Sequence, residues 1–165
     1  LVTITPDALR PFRLFDGLPA DQLTQLATIV ASRTLTPGES LFREGDPSTD
    51  LYGVVDGEIE LLVGATAHRV STVTTGDIVG DMAFLDDAER SATARAVRPT
   101  TLVVLRKSDV RALADGGAIE LALARRIGST IATRLRTENG NLIASFEREQ
   151  AARQRQHEFG KFFVY

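Results

Sequence analysis

The sequence predicts a mainly β fold, an antiparallel sandwich or barrel, flanked by short N-terminal helices and a long C-terminal helical segment. Two patterns carry this expectation. Seven of the 13 glycines fall between Gly38 and Gly80, dividing short stretches rich in Val, Leu, Ile and Thr. Turn signals recurring every ten or so residues between such stretches mark short antiparallel strands. On either side of this region the apolar spacing lengthens from two to three or four, the period of a helix.

The first element is a short helix behind Pro19, where Leu23, Leu26, Ala27 and Val30 share one face. Ile59, Leu61 and Val63 alternate with Glu58, Glu60 and Leu62. Asp56-Gly57 favours a type I′ hairpin joining that strand to Leu51–Val55. Further strands are expected at residues 69–74, 93–97 and 101–106. Ser108 can cap a short helix through Ala114, which Gly116-Gly117 would end. From Ala118 a longer helix carries Leu123, Ile127, Ile131, Leu135, Leu142 and Phe146 as an apolar stripe, with a bend or break expected at Gly140. The stripe suits packing on the β region or pairing with a second copy of the same helix. These limits divide the chain into residues 1–117, a helix at 118–146, and a polar connector with an aromatic end at 147–165. The Phe159–Tyr165 segment is dense in aromatics and reads as a docking strip, the start of a further segment, or a disordered end.

Composition narrows the chemistry. The 165 residues are 43% apolar and 25% charged, enough to bury a core without disulfide or metal. With no Cys and two His, His68 and His157, thiol catalysis, zinc fingers and multi-imidazole metal sites are excluded. An enzyme is not expected. Net charge is -3, yet residues 1–117 hold 11 Lys/Arg against 17 Asp/Glu and residues 118–165 hold 8 against 5. The second part is therefore locally basic, without the broad positive field of a nucleic-acid binder. No apolar run approaches the ~20 residues that span a bilayer. The single Met is Met82, so Leu1 reads as the start of a piece of a longer polypeptide.

The informative stretch is Thr75–Ala96, TGDIVGDMAFLDDAERSATARA. Gly80 precedes Met82-Ala83-Phe84-Leu85, long enough for one helical turn whose free amides face an anion. Gly80 lacks the Cβ that would hold a ligand away from the backbone. Arg90 offers a planar fork suited to phosphate, and Ser91 a hydroxyl beside it. These are all donors, so the expected ligand is an anion. Asp81 fits only if it accepts a hydrogen bond from a neutral part of that ligand, as a sugar hydroxyl next to a phosphate would provide. The residues also allow Asp81 as a helix N-cap and Arg90 in a surface ion pair with Asp86, Asp87 or Glu89.

At these residues the chain resembles the cyclic nucleotide-binding domains of the catabolite activator protein, protein kinase A regulatory subunits and cyclic-nucleotide-gated channels. The resemblance covers residues 12–143. It rests on Leu14-Phe15, Pro37-Gly38-Glu39, Phe42-Arg43-Glu44-Gly45-Asp46, Leu51-Tyr52, Asp56-Gly57, Gly76-Asp77 and the cassette from Gly80 to Ala92. It implies an antiparallel β-roll of jelly-roll type. It further implies that Gly80 and the amides of Met82, Ala83 and Phe84 hold the cyclic phosphate, with Arg90, Ser91 and Ala92 completing the cassette. Asp81, one methylene shorter than the family's usual Glu, would take the ribose 2′-hydroxyl.

The family also implies a C-terminal helix that closes over the base, with Thr137, Glu138, Asn139 and Asn141 as polar edges, Thr137 and Asn139 foremost. Ser91 in place of Thr favours cyclic AMP over cyclic GMP. The resulting expectation is a regulatory module in the cytoplasm, or in the cytoplasmic part of a membrane protein. It would bind a cyclic nucleotide, use no cofactor or metal, and pair through its C-terminal helix. Its output domain would lie elsewhere in the same polypeptide, a membrane-bound one being one candidate. Direct DNA binding is not expected, because no second helix-turn-helix pattern follows Asn139. The alternative is a fold that has lost its ligand and acts as a ligand-independent dimerisation or interaction module.

Overall fold

The computed structural model describes residues 4–161, with side chains through residue 150. The chain divides into two compact units, residues 1–127 and 128–165.

The first unit opens with two single-turn 3-10 segments, Pro6–Ala8 and Arg13–Phe15, then α1 (Ala20–Ile29). Eight strands follow: β1 (Ala31–Leu35), β2 (Ser40–Phe42), β3 (Leu51–Asp56), β4 (Glu58–Val63), β5 (His68–Thr74), β6 (Ile78–Val79), β7 (Thr93–Ala96) and β8 (Thr100–Leu105). They form two antiparallel four-stranded sheets, ordered β1-β8-β3-β6 and β2-β7-β4-β5. Their buried faces meet in one apolar cluster that includes Val54, Leu102 and Val104 from the first sheet and Phe42, Ile59 and Ala94 from the second. Burying an aliphatic side chain of this size contributes about 1.5–3 kcal/mol, which is what holds the two sheets face to face. The short helices are α2 (Asp81–Asp86) and α3 (Lys107–Arg111), and α4 runs from Gly116 to Lys161.

The antiparallel β-roll with short helices and a long C-terminal helix is the fold the sequence predicts. The five strands with expected limits, β3, β4, β5, β7 and β8, lie within a residue or two of them, and β1, β2 and β6 are additional, but the hairpin at Asp56-Gly57 does not form. β3 and β4 belong to different sheets, so this dipeptide is a corner where the chain crosses from one sheet to the other. Gly57 has φ +130°, and a Cβ there would lie 2.6 Å from the Thr100 Cα. Only glycine fits so close to a neighbouring strand in that conformation.

β3 and β8 also have a covered outer face. Phe12 is 2% exposed, and a Cβ on Gly53 would stand 2.6 Å from its ring, so the N-terminal segment packs where β3 lacks a side chain.

Three helical expectations need correction. Ser108 does not cap α3; it is the second residue of that helix, and its hydroxyl bonds Asp109. Gly116-Gly117 does not end a helix but starts α4, because Gly116 lets the chain pass within a Cβ's reach of the Val110 and Arg111 carbonyls. Nor does α4 break at Gly140. A glycine there costs only about 1 kcal/mol, and the helix-favouring Arg, Leu, Ala and Glu on both sides offset it. Of its apolar stripe, Leu123 and Ile127 are fully buried in the first unit, as is Ile119, which the stripe as expected did not include. In the second, Ile131 is half-buried and Leu135, Leu142 and Phe146 are exposed. Residues 162–165 of the aromatic end lie outside the described residues. Among those described, no helix is long and apolar enough to cross a membrane.

Candidate functional site

β6 is followed by Gly80, whose φ of +87° turns the chain into α2. Gly80 is the N-cap, which removes Asp81 from that role and places it in the first turn. Arg90 then returns beneath the turn. A Cβ on Gly80 would stand 2.4 Å from Arg90 Nη1 and 2.8 Å from the Asp50 carbonyl oxygen, so the bare glycine is what lets the guanidinium in.

Arg90 is only 2% exposed. It is not the surface ion-pair residue that its acidic neighbours suggested. Its Nη1 donates to the Gly80 carbonyl at 3.1 Å, and its Nη2 to Ser48 Oγ at 2.9 Å and the Asp50 carbonyl at 2.7 Å. The guanidinium carbon lies 4.2 Å from the Phe42 ring centroid and 5.6 Å from that of Tyr52. The residue 46–50 loop is tied to it as well, since the Arg90 amide donates to the Asp46 carbonyl. Burial pulls the guanidinium below its ordinary pKa and pushes the Tyr52 phenol up. Arginine nonetheless stays protonated in proteins, so a fixed positive charge sits under the turn.

Two buried side-chain atoms among the described residues have no hydrogen-bond partner: Arg90 Nε and Asp81 Oδ2. One is a charged donor, the other a carboxylate acceptor. Leaving either unmade costs about 1–3 kcal/mol; an anionic acceptor would answer the first and a neutral donor the second. The other Asp81 oxygen accepts the Met82 amide at 3.1 Å, and the Phe84 amide donates to the Gly80 carbonyl at 3.2 Å. Two of the three amides expected for phosphate are thus engaged within the turn. Ser91 is exposed, and its hydroxyl donates to Met82 Sδ at 3.6 Å. Ala83 and Ala92 are buried.

The structure therefore gathers Gly80, Asp81, Met82, Ala83, Arg90, Ser91 and Ala92 in one place. Thr137 and Asn139 stand exposed in the second unit, where the Thr137 hydroxyl bonds the Thr133 carbonyl. Sequence reasoning missed Ser48, the Asp50 carbonyl, and the Phe42 and Tyr52 rings as partners of Arg90.

A charge cluster fixes the far end of α2. Lys107, 4% exposed, places its ammonium 2.7 Å from Asp87 Oδ1 and 3.8 Å from Glu120 Oε1. Arg111 lies 2.8 Å from Glu120 and 3.7 Å from Asp87. The hydrogen bond from Lys107 holds the Asp87 carboxyl below its ordinary pKa, and that from Arg111 does the same for Glu120. A depressed carboxylate stabilises the fold above its unfolded pKa, and that contribution is lost as pH falls through the folded value. The urea midpoint should therefore stay level from pH 7 to about 5 and drop below about 4. Asp87→Asn should drop less over the same range, and an equal drop would show that the cluster does not contribute.

A family model described as the cyclic nucleotide-binding domain matches residues 32–116. A Rhodopseudomonas palustris protein, provisionally named a potassium channel protein, is 35% identical over 119 residues, covering 72% of this chain and 28% of that protein. The cyclic AMP receptor protein of Thermus thermophilus is 30% identical over 138 residues, covering 81% of this chain and 62% of the receptor. Among solved structures, a Geobacter metallireducens protein provisionally described as cyclic nucleotide-binding superposes with a TM-score of 0.70. Its identity is 25%, over 80% of this chain and 98% of that one. The chain spans less than two-thirds of either curated relative.

Proposed function

Since this chain belongs to the cyclic nucleotide-binding domain family, we propose that it is the sensing module of a larger cytoplasmic regulatory protein, taking cyclic AMP in preference to cyclic GMP. The unpartnered pair of Arg90 Nε and Asp81 Oδ2 carries this reading. A cyclic phosphate satisfies the first, and the neighbouring ribose 2′-hydroxyl the second. Gly80, the Ala83 amide and the Ser91 hydroxyl complete the phosphate shell, with Met82 and Ala92 framing it. The site binds without reacting, because its polar groups are a guanidinium, amides, one hydroxyl and one carboxylate, none paired as nucleophile and base.

In this reading Thr137 and Asn139 contact the purine, and ligand shifts α4 only by as much as it prefers the closed state. The output domain belongs to the longer polypeptide, and the chain itself does not read DNA. The exposed Leu135, Leu142 and Phe146 support pairing of α4 with its copy. A monomeric mass in light scattering would count against that pairing.

Calorimetric titration with each nucleotide tests the reading. Cyclic AMP should bind more tightly than cyclic GMP, and no heat from either at millimolar ligand would refute it. One observation favours a second reading, a ligand-independent interaction module. Asp81 already holds the Met82 amide, a donor that the phosphate would otherwise use.

A further inference from the structure

Met82 is the only methionine of the chain, which has neither Cys nor Trp. It is 45% exposed, although Asp81, Ala83 and Phe84 around it in the chain are buried. Its sulfur accepts the Ser91 hydroxyl, and its amide is held by Asp81. A solvent-reached thioether is open to two-electron oxidation, and here no thiol of the same chain competes for the oxidant. Resting on the binding reading above, we propose that Met82 is a modification site: a hydroperoxide converts it to the sulfoxide and thereby weakens the nucleotide site.

The step balances without a cofactor. A sulfur lone pair attacks one peroxide oxygen, the S–O bond forms, and the O–O bond breaks. The departing oxygen takes the remaining proton and leaves as water, or as an alcohol from an organic hydroperoxide. Sulfur is oxidised by two electrons and the peroxide reduced by two. A dithiol-dependent sulfoxide reductase reverses the change, yielding the thioether, water and a disulfide.

The consequence follows from what the sulfur touches. A thioether is a weak acceptor, so unmodified Met82 releases the Ser91 hydroxyl to a phosphate at little cost. A sulfoxide oxygen carries partial negative charge and accepts strongly. It would retain that hydroxyl and also set a negative oxygen beside an anion site. Both effects lower affinity, and neither requires the fold to change, because the side chain is exposed.

The test treats the full chain with hydrogen peroxide, confirms a gain of about 16 Da, one oxygen, and titrates cyclic AMP before and after. Oxidation should raise Kd about three- to ten-fold, the equivalent of one lost hydrogen bond, and reductase treatment should restore it. Met82→Leu should show the same Kd before and after peroxide, whatever that value is. Quantitative oxidation with unchanged Kd overturns this proposal alone. An equal loss in Met82→Leu overturns it too, by placing the damage elsewhere. Unmodified protein that binds no cyclic AMP overturns both the proposal and the reading beneath it.

Discussion

Arg90→Ala should abolish measurable cyclic nucleotide binding and lower unfolding free energy by about 2–4 kcal/mol. Both effects come from one buried side chain. Its removal leaves the Gly80 and Asp50 carbonyls and the Ser48 hydroxyl without their donor. It also empties the space over the Phe42 and Tyr52 rings, where a cation contributes about 0.5–2 kcal/mol. Arg90→Lys separates the two roles. An ammonium can keep the charge over Phe42 and so recover part of the stability, but it cannot donate to three groups while also offering the Nε–H to phosphate. We expect its urea midpoint between those of wild type and Arg90→Ala, with binding still weakened about a hundred-fold or more. An Arg90→Ala protein with native midpoint and native affinity would show that the guanidinium is neither structural nor part of the site.

Gly80→Ala is the second large effect, and it acts through the same guanidinium. A side chain at φ +87° is strained by about 1–3 kcal/mol. The added Cβ would also fall 2.4 Å from Arg90 Nη1 and 2.8 Å from the Asp50 oxygen. The carbonyl is backbone and cannot retreat, so Arg90 must move. Gly38→Ala is the control: Gly38 has φ +82°, but nothing lies within 4 Å of its Cβ position. Both variants should lose stability, and only Gly80→Ala should lose affinity, by about a hundred-fold. Equal affinities in the two variants would contradict a site built on close approach to Gly80.

The local chemistry of the cassette was legible in the sequence, because it lies within thirteen consecutive residues. Gly80, the turn after it, and the donors at Arg90 and Ser91 form a pattern whose residue types alone mark a candidate anion site. What surrounds Arg90 was not legible. Phe42, Ser48, Asp50 and Tyr52 reach it from about forty positions away, through two strands and a loop that carry no local sign of a cation over two rings. Asp56-Gly57 failed as a hairpin signal for a related reason. The dipeptide specifies a tight change of direction, but whether the next strand pairs with the last or crosses to the other sheet depends on distant partners, and here Thr100 of β8 packs close against Gly57. Lys107 carries no local sign of its partners either; only the fold brings Asp87 and Glu120 to it.

The central claim is that one ligand answers both unpartnered atoms, its phosphate meeting Arg90 and its 2′-hydroxyl meeting Asp81. The most direct measurement is a calorimetric cycle of cyclic AMP and its 2′-deoxy analogue against wild type and Asp81→Ala. Losing a hydrogen bond to a charged acceptor costs about 1.5–3 kcal/mol, so wild type should bind the deoxy analogue about ten- to a hundred-fold more weakly. Asp81→Ala should bind the two ligands equally. If it discriminates between them as strongly as wild type does, Asp81 does not hold the ribose and the account of the site is wrong.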